Sequence, residues 1–510
     1  MRATKVSVGG FLEKSLSEIL MRDSILPTAL LMAVALPFCH AWSPPTFKSP
    51  PPTNAAASRP NLGQQLAGVA AALLISLPAN PAAAQLALQH PEPAAITQKA
   101  AASASLPTTN TVADANAEAA KTPSRRYINL TGFPFPLGPF FERQTVATEI
   151  VKGRVYGFEQ EQSLAGITAN VRSVVFRMRD NHLLVYNPVA PTDEFLAQLD
   201  ALDHKGVSHI LLGATQYEHK IFVAPFARKF PDAKVWAVPD QWSFPLNLPA
   251  PLLGIDESGT GGGELLDTAA GSKAYSAAPD FLDEFEVKLL RPKERLGFGY
   301  AANEAALLHK DTKTLALTDS LVYVPPTPQP VYTQSNLVAI GDNSDSNSLG
   351  SFILKAAGAV NWRGTGRSEI DALYASGAGS GDAQAQLQRG WERNSLLSLY
   401  FGPSPTSIVD PDPSFKQLSD KWIVAPVTNT LIYSSDKIRP EITRWVDDVT
   451  KWDFTTIAPS HFMARAGTPE DMKSAFAPTV ASASEKRPYV AGDVQLLDEL
   501  AGGLKKIKII

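Results

Sequence analysis

The stretch GATQYEHKIF, residues 213–222, follows directly on the apolar run VSHILL, residues 207–212. The run is short, aliphatic and closed by Gly213, so it reads as a buried strand. After it comes a loop carrying Glu218 and His219, and then the helix-like FVAPFARKF. Loops at strand ends are where a rigid scaffold holds chemically active side chains. The arrangement recurs twice. KTLALTD delivers Asp319 directly after an apolar strand, and FTTIAPSH delivers His461. Two carboxylates and two imidazoles form a donor set suited to one divalent metal: zinc, iron or manganese.

Each residue also has an ordinary reading. His219 would be a helix-start histidine satisfied by a backbone carbonyl. Asp319 would cap the turn before Ser320. His461 would form a plain ion pair with Glu218. The sequence gives three strand ends and leaves open whether they meet.

The flanking segments alternate in kind. ATEIVKGRVYGFEQE reads as strands separated by Gly. NVRSVVFRM and HLLVYNP flank the polar pair Arg179-Asp180, the pattern of a hairpin. TDEFLAQLDALDHKG has apolar residues at helical spacing, a capping Thr192 and a glycine stop. KVWAV, EVKLLRP, EAALLHK and TKTLALT supply further strands. A loop leads into a helix within GAGSGDAQAQLQRGWERNSLLSLYFG, and another helix is expected from about Pro440 to Trp452. Strands and helices in alternation predict an α/β fold. We expect one decorated domain over 126–480 and a C-terminal tail over 481–510, with no internal repeat and no membrane span in the mature chain. Residues 254–280 and 324–350 read as loops, and 324–415 as a long insert. GTGRSE, residues 364–369, lacks the strand and spacing of a phosphate loop and reads as a plain loop. Asp410 and Asp412, interleaved with prolines, read as a turn. His182 and His309 read as satisfied structural histidines, and His204 and His209 as exposed.

Composition narrows the chemistry. Among 510 residues, 44% are hydrophobic and the net charge is −4. The chain therefore offers no basic field for nucleic acid. Its one cysteine, Cys39, falls in the leader described next, so any metal site must use His, Asp and Glu. With eight histidines, candidates are few.

MRDSILPTALLMAVALPFCHAWSPPTF has a basic start, a short apolar core and small residues before Trp42, the form of a secretory signal peptide. We read 1–42 as that signal, with Met1 and Met21 both open as the start. From Ser43 to Pro91 there is no Asp or Glu while Ser, Pro and Ala abound, which is transit-segment composition. The apolar LAGVAAALLISLPANPAAAQ ends in Ala82-Ala83-Ala84 and has the form of a thylakoid-lumen signal. The alternatives are an uncleaved anchor or an Ala-rich linker. We expect a plastid transit segment over 43–84, a disordered linker over 85–125, and the thylakoid lumen rather than the stroma.

The three strand ends resemble the metallo-β-lactamase superfamily, an αββα sandwich with metals at one edge. Its HxHxDH motif would fall on Ala214, Gln216, Glu218 and His219. The resemblance implies a second metal position held by Glu218, His219, Asp319 and His461. It implies that the first position has lost its histidines at Ala214, Gln216 and the RLGFGYAAN segment. GFPFPLGPFFERQTV, NPVAPTDEFLAQL, YEHKIFVAPFARKFPDAKVWAVPDQWSFPLNLP, LALTDSLV and WDFTTIAPSHF resemble an uncharacterised branch found in cyanobacteria, algae and plastids. That branch is known only as a domain of unknown function, number 4336. The resemblance implies the fold and no established activity. Two functions are open: a mononuclear metal-dependent hydrolase acting on a small molecule, or a non-catalytic degenerate hydrolase that binds or assembles plastid proteins. DQWSFPLNLP would be a docking surface in the second case and a packed crossover in the first.

Overall fold

The computed structural model describes residues 122–506, apart from 129–136, 165–166, 242–261, 269–278, 296–300, 346–349, 352, 356–364, 377–380, 434 and 482–487. The leader, the transit segment and nearly all of the linker lie outside the described residues, as do most of DQWSFPLNLP and the 254–280 insert.

The chain runs β1 (Thr145–Val151), β2 (Val155–Leu164), β3 (Ile167–Arg177), β4 (Leu183–Tyr186), α1 (Asp193–Asp200), β5 (Val207–Leu212), α2 (Tyr217–Lys220), α3 (Val223–Ala227), β6 (Lys234–Ala237) and β7 (Gly263–Glu264). There follow β8 (Phe285–Leu290), β9 (Glu304–His309), β10 (Thr314–Leu317), β11 (Val322–Tyr323), α4 (Gln334–Gly341), α5 (Thr365–Ser376), α6 (Ala383–Tyr400), α7 (Pro405–Val409), α8 (Asp412–Lys416) and β12 (Trp422–Ile423). The chain closes with α9 (Arg439–Val449), β13 (Thr456–Pro459), β14 (Arg465–Ala466), α10 (Pro469–Val480) and α11 (Gln495–Lys506).

One sheet has the order β1-β2-β3-β4-β5-β6-β7 and a second the order β14-β13-β10-β9-β8. They pack face to face through Phe176, Leu184, Tyr186 and Leu211 of the first and Phe285, Leu307, Ala316 and Ala458 of the second. The outer face of the first sheet is covered by Phe195 and Leu199 of α1 and Phe226 of α3. The outer face of the second is covered by Ile442 and Trp445 of α9 and Phe476 of α10. Helix, sheet, sheet, helix is the expected four-layer αββα sandwich. Each buried phenylalanine adds about 1.5–3 kcal/mol, so these covers hold the strand ends rigidly.

The capping Thr192 accepts from the Phe195 amide, and the 181–182 hairpin turn places Asn181 at φ 69°. Arg125, the last residue of the expected linker, is tied to α1: its guanidinium binds Glu194 at 2.8 Å.

Three expectations fail. His209 is buried, not exposed: both faces of β5 are covered, and its ring lies edge-on to Phe281 with Nε2 2.9 Å from Asp280. Within GTGRSE, the described residues 365–369 are not loop but lie in α5. Among its described residues the 324–415 insert is largely helical, with α4 inside the segment read as loop. Its Thr, Asp, Ser and Pro residues stand at helix starts. Asp382 accepts from Ala385 N and Ser404 from Ser407 N. Asp410 and Asp412 do flank a turn, between α7 and α8. Among the described residues no helix is long and apolar enough to cross a membrane.

Candidate metal centre

The register of one strand pair builds the site. β10 and β13 run parallel with Leu317 opposite Pro459, and Ser460 N continues the ladder to Thr318 O at 3.2 Å. Asp319 and His461 therefore each lie two residues beyond a matched pair, side by side. The end of β5 reaches the same corner because Ala214 bridges Glu304 of β9, with Ala305 N bonded to Gly213 O at 2.8 Å. That bridge joins the two sheets and brings in α2 with Glu218 and His219.

All four predicted residues meet there. Glu218, His219, Asp319 and His461 each offer a ligand atom, and these atoms lie within 4.8 Å of one another. His219 Nε2 is 3.2 Å and His461 Nε2 2.9 Å from Asp319 Oδ1, and the two rings are 5.0 Å apart. The ordinary readings do not describe this geometry. His219 Nδ1 meets no carbonyl, being buried without a hydrogen-bond partner. His461 pairs with Asp319 at its Nε2.

The other face of His461 is fastened. Its Nδ1–H donates to the Asn170 carbonyl at 2.7 Å, leaving Nε2 to face the cluster. A backbone carbonyl of this kind fixes the tautomer and ring orientation of a metal-ligating histidine. Burial alone lowers the His461 pKa, but the Asp319 carboxylate bonded to it outweighs burial and lifts it to about 9. With acceptors at both nitrogens the ring holds two protons. Burial also pushes the Asp319 carboxyl up, yet His219 and His461 outweigh it and hold the group well below the usual carboxylate range. A metal would take the place of the proton on His461 Nε2, so binding releases a proton and strengthens as pH rises.

The donors fit a cation. Asp319 Oδ2 is buried with no partner, as is His219 Nδ1. Such orphaned polar atoms are rare in folded proteins and cost about 1–3 kcal/mol each. An unshared carboxylate oxygen beside two imidazoles and a second carboxylate is a divalent-metal donor set.

Several contributors were not legible in the sequence. Glu304, 1% exposed, accepts from the amides of Thr318 and Asp319 and from the Ser320 hydroxyl. Burial lifts its pKa to about 7, with the Asp319 charge adding to the rise. Asn187, at φ 50°, donates to Thr318 Oγ1 and Ser460 Oγ and accepts from Gly213 N, tying three strand ends together. Lys220 is buried, which lowers its pKa to about 7 against the pull of Glu218. A charged residue inside an apolar strand start, such as Glu304, was the available signal.

The first-position residues offer no imidazole. Ala214 is buried in the sheet bridge and Gln216 precedes α2. Of the RLGFGYAAN segment, 296–300 lie outside the described residues, and Asn303 donates to Pro239 O and Asp240. A second group of ligand-type residues, Glu284, His309 and Asp311, sits elsewhere. There Arg154 already stands 3.4 Å from His309 Nε2 and 3.1 Å from Asp311, and Arg179 bonds Asp311. Burial keeps His309 neutral, its pKa lowered to about 4. That group is an ion-pair network with its cations built in.

The layers define the class as an αββα sandwich, with four ligand-type side chains at one corner. Within it, the chain belongs to the family described as "Domain of unknown function (DUF4336)", whose model matches residues 152–417 and 410–477. No curated protein matches the chain. Among solved structures, the metal-soaked Flv1 flavodiiron core from Synechocystis sp. PCC6803 aligns at 9% identity and TM-score 0.34, over 66% of this chain and 61% of that one. A metallo-beta-lactamase from Pontibacter korlensis aligns at 9% identity and TM-score 0.29, over 66% of this chain and 100% of that one. The flavodiiron protein from Giardia intestinalis aligns at 10% identity and TM-score 0.32, over 66% of this chain and 59% of that one. The chain thus spans about three fifths of the flavodiiron chains it matches.

Proposed function

We propose that this protein is a mononuclear metal-dependent hydrolase with a single metal position, held by Glu218, His219, Asp319 and His461. The observation that carries the reading is the convergence of these four donors from three strand ends to within 4.8 Å. Zinc, iron and manganese all accept such a donor set. The metal would polarise a carbonyl or phosphoryl oxygen and lower the pKa of its bound water to roughly 7. The chain's own part is positioning and proton handling. Asn170 orients His461, and the buried corner keeps His219 dry. Glu218, half-buried, would accept a proton from an attacking water if it stays unligated. The substrate class is a small molecule with an ester, thioester or phosphoester bond.

A second reading is a non-catalytic binding or assembly module. Ala214 and Gln216, which offer no imidazole at the first position, favour it. The leader supports a plastid location, and Ala82-Ala83-Ala84 behind an apolar run supports the thylakoid lumen over the stroma, so substrate or partner would be sought there.

The test is turnover. Full-length protein loaded with each metal is offered ester, thioester and phosphoester substrates. We expect metal-dependent hydrolysis that falls at least about a hundredfold in Asp319→Asn, with the surface variant Arg444→Ala unaffected. Hydrolysis unchanged in Asp319→Asn, or metal bound with no turnover on any substrate, would discard the hydrolase and leave the binding module.

A further inference from the structure

We infer that Glu304 is the positioning residue of this cluster, setting where Asp319 stands relative to His219 and His461. The inference rests on the reading that the cluster binds a metal.

Glu304 has two attachments. Its backbone forms the bridge to Ala214 that joins the sheets and carries the start of the Glu218–His219 loop. Its side chain crosses to the loop after β10. Oε1 accepts from Thr318 N at 2.7 Å and from Ser320 Oγ at 2.8 Å, and Oε2 accepts from Asp319 N at 3.2 Å. Three consecutive residues centred on a ligand are thus bonded to one carboxylate, which belongs to the strand that anchors two other ligands.

Chemistry makes this an expensive choice for structure alone. A buried carboxylate is costly unless hydrogen-bonded. Here a second carboxylate, Asp319, lies beside it, and like charges oppose each other's ionisation. A neutral acceptor would hold a loop at lower cost. A carboxylate meets all three donors with two oxygens and adds negative charge behind the donor set. Partners behind metal ligands typically change affinity by about 10–100-fold when removed.

Two variants separate the roles. In Glu304→Gln, Oε1 keeps Thr318 and Ser320, while the new NH2 faces the Asp319 N–H, donor against donor. Glu304→Asp keeps the charge on an arm too short to span the gap. We expect both variants to lose metal affinity by about 10–100-fold. We also expect a shifted visible spectrum in the cobalt-substituted protein, and metal-free melting temperatures in Glu304→Gln close to the parent's, because relieved like-charge repulsion offsets the lost Asp319 N–H bond. Full affinity in Glu304→Asp would reduce the effect to charge and overturn positioning. A large fall in metal-free melting temperature with unchanged affinity would make Glu304 merely structural.

Should the parent bind no metal, the proposed function fails separately. Amide exchange of the metal-free protein then decides. Exchange at 318–320 faster by at least about tenfold in both variants, with β9 and β13 unchanged, upholds Glu304 as the residue that places Asp319. Unchanged exchange overturns it.

Discussion

Arg172→Leu is expected to destabilise the protein by about 3–5 kcal/mol, because removing one partner of a buried ion pair leaves the other charge uncompensated. Arg172 is 1% exposed and Glu159 4%. The guanidinium binds Glu159 through Nε at 2.9 Å and also donates to the carbonyls of Pro459 and Phe462. Leucine would strand Glu159 with Asn170 and Gln329 as its remaining donors, at 3.1 and 3.3 Å. It would also take a donor from the Pro459 carbonyl, two residues before His461, and from the Phe462 carbonyl, which keeps Asn170 and Gln329 as donors. The stability loss has a partner prediction. Glu159→Met combined with Arg172→Leu should recover most of it, since replacing a buried pair by apolar groups is often neutral or better. Recovery would not return the Arg172 bond to the Pro459 carbonyl on the strand that carries His461, so metal affinity should stay below the parent's. Denaturant midpoints check the first part, and metal titration of the double variant the second. A cost under about 1 kcal/mol for Arg172→Leu, the range of exposed pairs, would show that the pair is not buried as described.

The second large effect is expected at Gly213, the residue that ends β5. A Cβ there would overlap the Tyr186 ring. Tyr186 cannot step aside, being fully buried with its hydroxyl bonded to Ala305 O and Thr318 Oγ1, both at 2.8 Å. Gly213 N is itself held by Asn187 Oδ1 at 2.7 Å. Gly213→Ala should therefore cost about 3 kcal/mol, the upper range for overpacking a rigid site. The strain falls on the Thr318 side of the cluster, so metal content should drop with stability. A chemical denaturation curve within about 0.5 kcal/mol of the parent, as for an ordinary surface change, would contradict this close packing.

Much of the fold was legible because it is local. Aliphatic runs closing at 212, 317 and 459 give strand ends, and Thr192 gives a helix start. The ligand-type residues follow those ends directly, so they too could be named. What made them a site was not legible. The parallel register of Leu317 with Pro459 is a pairing across more than a hundred residues, and no local pattern specifies it. Glu304, Asn170 and Arg172 matter through partners on other strands, and each would pass as an ordinary polar residue on a sheet. His209 is buried although a histidine beside a glycine turn suggests solvent, because Phe281, on the short 3-10 turn Asp280–Asp283, covers that face of β5. The helices within 324–415 were misread because capping residues and prolines are also loop residues.

The central claim is that one corner of the sandwich holds one metal. It is tested most directly by metal content, measured by mass spectrometry on full-length protein purified without chelator, beside His219→Ala and His461→Ala. The account predicts about one zinc, iron or manganese per chain in the parent and loss from both variants, because removing a ligand opens a four-donor site. No metal in any sample, together with an unchanged melting temperature when each metal is added, would contradict it.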